Sequence, residues 1–246
     1  MANCTYTFTD GTTIKGIPAL KAFLVNGGLD TYLPERAMEM QGPSASARQT
    51  DTPAFKKWFG DSEVVDDAGK PMVVYHSTPE NFSVFDTARS ELGSHFGPAE
   101  QANAFGDSSG RRIMPVYLSI KKPIRLVDYG QWDAANTWGQ LVDLGVVEDE
   151  GDKISDSLIG MATGGAGDKV VQDALIKAGY DGIVYLNRRE GFDPFGPDGV
   201  DGNELDEMTD EEVMDYFPEA QDSYIVFKPT QIKSAIGNTG AFDPEN

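Results

Sequence analysis

Met72-Val73-Val74-Tyr75-His76-Ser77-Thr78, followed further on by Leu92-Gly93-Ser94-His95-Phe96-Gly97, are the stretches that decide how this chain is read. An apolar run of β-forming residues that ends in a histidine and small hydroxyl residues reads as a strand opening on a site. The second stretch sets a histidine between glycines, where the backbone can turn and a ligand can come close. The chain has only 2 histidines, and each lies in one of these motifs. The expectation is two imidazoles meeting in one cleft.

Around these motifs, short strands and short helices alternate without the regular strand–helix rhythm of a doubly wound sheet. Glu63-Val64-Val65 and Met72 to His76 flank the turn Asp66-Asp67-Ala68-Gly69-Lys70 and read as a hairpin. A helix is expected over Pro53 to Phe59, with Phe55, Trp58 and Phe59 in the core. Pro98 to Phe105 reads as a helix with proline in its first turn, and Ile113 to Ile120 as an alternating strand. Gln131 to Leu144 and Asp168 to Ala178 read as helices, the latter closed by Gly179. Gly182 to Leu186 and Tyr224 to Phe227 are strands of the buried type. The sum is an α+β fold with a mixed or antiparallel sheet.

Residues 1–35 read as a small separate β-α unit. Thr5 to Thr9 alternates as a strand, Asp10-Gly11 turns, and Ile17 to Val25 is a helix closed by Asn26-Gly27-Gly28. So few residues rarely bury enough surface to stand alone, so this unit is expected to pack on a neighbour or a partner. Residues 36–52 have linker composition, leaving 53–246 as the main domain.

Composition narrows the function classes. The chain has 246 residues, of which 39% are hydrophobic, and no apolar run approaches the ~20 residues that span a bilayer. The first residues carry neither a basic n-region nor an apolar h-region, so no secretory leader is expected. With 1 cysteine, Cys4, no internal disulfide and no cysteine-based zinc site can form, and a reducing, cytoplasmic setting is the natural reading. The formal net charge is -20. So acidic a surface repels phosphate backbones and disfavours general nucleic-acid binding. The carboxylates concentrate between Asp193 and Asp222, a stretch with no Lys or Arg. It reads either as a solvated loop and short helix or as a docking surface for a basic partner.

Four stretches together resemble the ADP-ribosyltransferase superfamily, in particular the transferase-like domains of phage and mobile-element polyvalent proteins. They are Val73-Val74-Tyr75-His76-Ser77-Thr78; Gly93-Ser94-His95-Phe96-Gly97 with the helix to Ala104; Tyr180-Asp181-Gly182-Ile183-Val184-Tyr185-Leu186-Asn187 with Glu190; and Asp222-Ser223-Tyr224-Ile225-Val226-Phe227-Lys228-Pro229-Thr230-Gln231-Ile232-Lys233-Ser234. The resemblance covers roughly Phe55 to Pro244 and leaves out the N-terminal unit. It implies a split β-sandwich of two small antiparallel or mixed sheets with flanking helices, and NAD bound in the cleft between the sheets as a substrate.

It also implies roles. His76 matches the first-strand histidine that hydrogen-bonds the adenosine ribose, and Ser77 stands where glycine is common. His95 matches the second-strand position, often an aromatic that stacks on nicotinamide; a histidine there is similar to the branch that includes RNA 2'-phosphotransferases. Tyr75, Phe96, Tyr117 and Tyr185 are candidate walls, with Thr78, Gly93 and Asn187 as further binding positions. The third-strand glutamate, which holds the reacting ribose, is here Ser223. Asp222, one place earlier, points to the opposite face of a regular strand unless a bulge turns it inward. Glu190 is the other carboxylate able to stabilise a cationic transition state. Arg111 and Arg125 are open candidates for the pyrophosphate. The implied activity is mono-ADP-ribosyl transfer to an unknown acceptor, a host protein foremost. NAD hydrolysis, RNA 2'-phosphotransfer and a non-catalytic nucleotide- or partner-binding module stay open beside it.

Overall fold

The structure, a computed structural model, describes residues 5–7, 13–15, 49–82, 84–87, 91–104, 111–148, 165–196 and 199–236. The chain divides into two units, Met1–Arg48 and Gln49–Asn246. In the first, β1 (Thr5–Thr7) pairs antiparallel with β2 (Thr13–Lys15), Thr5 opposite Lys15. The helix expected over residues 17–25 and the linker up to residue 48 lie outside the described residues.

In the second unit the strand-forming runs build two small sheets. The first has the order β3-β5-β9: β3 (Val74–Thr78), β5 (Arg112–Leu118) and β9 (Ile232–Ser234), all antiparallel. The second has the order β4-β8-β7-β6: β4 (Ser94–Phe96), β8 (Asp222–Val226), β7 (Gly182–Leu186) and β6 (Pro123–Arg125). Only the β6–β7 pair is parallel. The continuous apolar run of β7 suits an inner strand buried on both faces. Pro123, which has no N–H to give a ladder, begins an edge strand.

Helices flank the sheets. Pro at the first turn and the Thr52 side chain capping Phe55 N start α1 (Pro53–Phe59). Next come α2 (Ala99–Ala104), α3 (Ala134–Asp143, capped by Asp133) and α4 (Ala166–Ala178). The last ends at Gly179 with φ 94°, the left-handed cap that its sequence signals. Alternation distributes the strands' side chains. Ile183 and Tyr185 of β7 pack with Trp138, Leu141, Val171 and Leu175 of α3 and α4. Val184 joins Phe96, Tyr224 and Val226 in a cluster with Val74, Val116, Leu118 and Ile232 of the other sheet. Each such side chain buried contributes about 1.5–3 kcal/mol.

Two junctions among the described residues bear on the site. At one, Tyr75 N–H donates to Gly97 O (2.8 Å) and Gly97 N–H to Tyr75 O (3.1 Å). At the other, Gln231 turns the chain from β8 into β9. Its carboxamide oxygen accepts from Phe227 N and Lys228 N, and its nitrogen donates to Ser119 O and Asp181 O. The Asp66–Lys70 turn forms, with a single bridge between Val65 and Pro71. It is not a full hairpin, because β3 takes β5 as its partner.

The acidic stretch forms two short helices, α5 (Gly202–Glu207) and α6 (Asp210–Tyr216), the second with a Thr209–Glu212 capping box. Arginines from outside the stretch hold it. Arg188, only 1% exposed, donates to Leu205 O, Met208 O and Asp210. Arg189 pairs with Asp206, and Arg125 with Asp210 and Asp222.

Gly93 has φ 138°, and a Cβ there would lie 2.3 Å from Val226 O. Its glycine serves the packing of β4 on β8. Gly93→Ala should therefore cost at least about 1–3 kcal/mol in strain, read as a lower denaturant midpoint at unchanged m-value.

Candidate functional site

The junction of the two sheets builds the site. Tyr75–Gly97 pairing puts β3 beside the end of β4, and His76 then reaches its neighbour: its Nδ1–H donates to His95 O at 2.8 Å. The His95 ring in turn donates from Nε2–H to Glu91 O at 2.8 Å. A carbonyl only accepts, so these bonds assign the tautomers and leave His76 Nε2 and His95 Nδ1 with lone pairs. Leu92 holds the Glu91 carbonyl in place from a left-handed conformation (φ 55°), a strained position for a branched residue. Its buried side chain and a 2.7 Å bond from Gln172 Nε2 to its carbonyl keep it there.

Aromatic rings surround both imidazoles. Phe82, Phe85 and Phe96 pack on His76. Trp132 lies edge-on to His95 and against Tyr185. Burial lowers the pKa of His76; the His95 carbonyl opposes it and Arg111 adds to it. Burial likewise lowers that of His95, opposed by the Glu91 carbonyl.

Three adjoining cavities share these residues. One, about 140 Å³, is lined by Tyr75, His76, Ser77, His95, Phe96 and Arg111 among others. It shares His76 and Ser77 with a cavity of about 320 Å³ that includes Thr78, Phe82 and Phe85. It shares His95 and Gln101 with a third of about 330 Å³ that includes Asp128, Trp132, Tyr185 and Glu190. The two imidazoles lie where these hollows share residues. Arg111 lines the first, its guanidinium held by Ser77 Oγ and Ser77 O at 3.0 Å each.

The third-strand position is fully buried. Ser223 Oγ donates to Gln101 Oε1 at 2.6 Å, and Gln101 Nε2 donates to a Glu190 carboxylate oxygen at 2.5 Å. Gln101 enters this line because Gly97 has no side chain: a Cβ there would lie 1.5 Å from Gln101 Oε1. Burial raises the pKa of Glu190, Gln101 opposes the rise, Asp128 adds to it and Arg189 opposes it. The Tyr185 hydroxyl is also pushed up, by burial first and then by Asp128 and Glu190.

Several expected site residues lie elsewhere. Tyr117 points away from the cleft and packs edge-on against Phe55. Asp222 faces outward: the β7–β8 register runs on without a bulge, and Arg125 takes its carboxylate at 2.6 Å. The same bond occupies Arg125. Asn187 does not offer its side chain to a ligand; Oδ1 accepts from Arg189 N and Glu190 N, and Nδ2 donates to Glu190 O. It shapes the loop that delivers Glu190. Gln101, Asp128 and Trp132 belong to the site and carry no sequence motif that marks them.

The profile of one protein family, described as ADP-Ribosyltransferase in polyvalent proteins, matches residues 66–242. The chain belongs to this family. The match takes in both histidine motifs, the Glu190 loop and Ser223, and leaves residues 1–65 outside it. No curated protein and no solved structure compared with this ADP-ribosyltransferase family member matches it. No helix among the described residues is long and apolar enough to cross a membrane.

The lowered histidine pKa values carry a stability signature. Below the unfolded value of 6.5 the unfolded chain binds protons that the folded one refuses, so stability falls as pH drops through 6.5 and levels off below the folded values. Glu190 has the opposite sign, losing its contribution as pH rises through its raised folded value. Denaturation between about pH 7.5 and 5 should show a shallower fall for His76→Gln than for the parent chain.

Proposed function

We propose that this chain is an NAD-dependent mono-ADP-ribosyltransferase that modifies a host protein. The observation that carries the reading is the meeting of the chain's two histidines, joined by one hydrogen bond, at the junction of two sheets in a family member of this kind. Within the reading, residues 53–246 form a split β-sandwich transferase domain, residues 1–35 a separate unit, and 36–52 the linker between them. The setting is the cytosol, and the outer carboxylates of the 193–222 segment face a basic partner.

In this reading NAD supplies a good leaving group, since nicotinamide departs as a neutral molecule. The protein's task is then to position and to stabilise charge. His76, neutral and with Nε2 free, accepts a hydrogen bond from a ribose hydroxyl. Arg111 sits beside Ser77, in reach of phosphate oxygens. Tyr75 and Phe96 supply walls, and the His95 ring fills the place often held by an aromatic. Trp132 and Tyr185 wall the third cavity, where an acceptor side chain would approach. Glu190 supplies the carboxylate that Ser223 does not.

One observation favours a second reading. Ser223 cannot stabilise a cation as a glutamate would, which is the pattern of a domain that binds a nucleotide without turning it over. RNA 2'-phosphotransfer, which a histidine at position 95 suits, is opposed by the net charge of -20 that its substrate would meet.

Calorimetric titration with NAD, paired with NMR observation of nicotinamide with and without host lysate, separates these. Binding with lysate-dependent release is expected. Release without lysate would mean a hydrolase, and binding without release the non-catalytic reading; no binding would sink both. His76→Ala should weaken NAD binding by about tenfold or more, ~1.4 kcal/mol, while lowering thermal stability less. Equal losses would make His76 a structural residue.

A further inference from the structure

We infer that Gln101 is a positioning residue that presents the Glu190 carboxylate to the cleft, so that a loop residue does the work of a third-strand carboxylate; this rests on the transferase reading. The Gln101 side chain joins two neighbouring cavities, one lined by His76 and Arg111, the other by Asp128, Trp132 and Glu190. Its carboxamide is bonded at both ends. The oxygen takes the Ser223 hydroxyl and the nitrogen donates to Glu190, so the amide orientation is set by Glu190, which as a carboxylate can only accept. Gln101 is 5% exposed and Ser223 fully buried, and the Tyr185 hydroxyl bonds to both, so the line is closed off from water on the Ser223 side.

Three neighbouring features are fitted to it. Gly97 leaves the volume that the carboxamide fills. Gly191, at φ 90°, brings the loop against α2, where a Cβ would lie 2.9 Å from Gln101 N. The Asn187 side chain closes the loop from the other side: its Oδ1 accepts from Glu190 N–H and its Nδ2 donates to Glu190 O. A serine at position 223 is short enough to leave room for Gln101. A glutamate on that strand would occupy the same volume, so the two arrangements exclude each other.

The charged and titratable groups around Glu190 are Asp128, Arg189, Tyr185, His95 and Glu91. Asp128 raises the Glu190 pKa and Arg189 lowers it; the Gln101 N–H lowers it by favouring the charged form. Removing that donor while keeping the side chain's shape should therefore move Glu190 titration upward.

The test is Gln101→Met, with Glu190 titrated by carboxyl NMR in the apo protein and nicotinamide release measured against pH. In Gln101→Met the Glu190 titration should move to higher pH, the pH profile of turnover should move with it, and kcat should fall about tenfold with NAD affinity nearly unchanged. Glu190→Gln should lower kcat on the order of 100-fold, the loss seen when one preorganised charge-stabilising group is removed. Adding Gln101→Ala and Ser223→Glu to Glu190→Gln, which returns a carboxylate to the strand, should restore part of the activity. An unchanged Glu190 titration in Gln101→Met would overturn the inference, as would full turnover in Glu190→Gln. If the parent chain binds NAD and releases no nicotinamide, the transferase reading fails instead, and the apo titration still decides whether Gln101 controls Glu190.

Discussion

Two backbone hydrogen bonds between Tyr75 and Gly97 tie one sheet to the other, and the geometry of the site follows from them. A bridge of this kind sets the distance and angle between two strands without help from any side chain. With β3 and the end of β4 so placed, the residue after Tyr75 meets the residue two before Gly97, and His76 reaches the His95 carbonyl. The same pairing requires Gly97 to lie over β8, where its missing Cβ becomes the space for the Gln101 carboxamide. One bridge thus locates the histidine pair and opens the route from Ser223 to Glu190.

The surroundings oppose ionisation. Phenylalanines around His76 and Trp132 beside His95 remove water from both rings, and each ring's single bonded nitrogen is satisfied by a carbonyl. The result is two neutral imidazoles with defined lone pairs at neutral pH. The left-handed Leu92 conformation that aims the Glu91 carbonyl is unfavourable on its own and persists because the side chain is buried among Trp132, Ile183 and Ile225. Strain held by core packing next to a cleft is a common way of fixing a ligand-facing group.

What could be read from the sequence was local. Alternation marked β5, short continuous apolar runs marked β7 and β8, the proline–aromatic segment marked α1, and Gly179 marked the end of α4. Each is a signal carried within one element. Strand parity also bore on Asp222: a regular strand with Ser223 inward sends Asp222 outward. The pairings that bring elements together are long-range and leave no local trace. β3 has the residues of a hairpin arm and pairs with β5 instead. Asn187 has the side chain of a ligand-binding residue, yet its polar atoms close a loop. Tyr117 and Tyr185 look alike in sequence; one faces the α1 cluster and the other the cleft. Gln101 lies in Ala-Glu-Gln-Ala-Asn-Ala, where nothing separates it from a solvent-facing helical residue. Only the hollow above Gly97 gives it a role.

The Arg188 clasp divides the acidic segment into two rows. Asp206, Asp210 and Asp222 form an inner row whose charge is neutralised by Arg188, Arg189 and Arg125. Glu204, Glu207, Glu211, Asp215 and Glu219 form an outer row open to solvent. Mutual repulsion within the outer row is screened by ordinary salt, whereas the buried guanidinium is shielded from it. Ionic strength therefore adjusts how strongly this face attracts or repels other molecules, and loosens the half-exposed Arg125 pairs before it reaches the buried Arg188, whose bonds to Leu205 O and Met208 O need no second charge. Salt dims the outer row first and the clasp last.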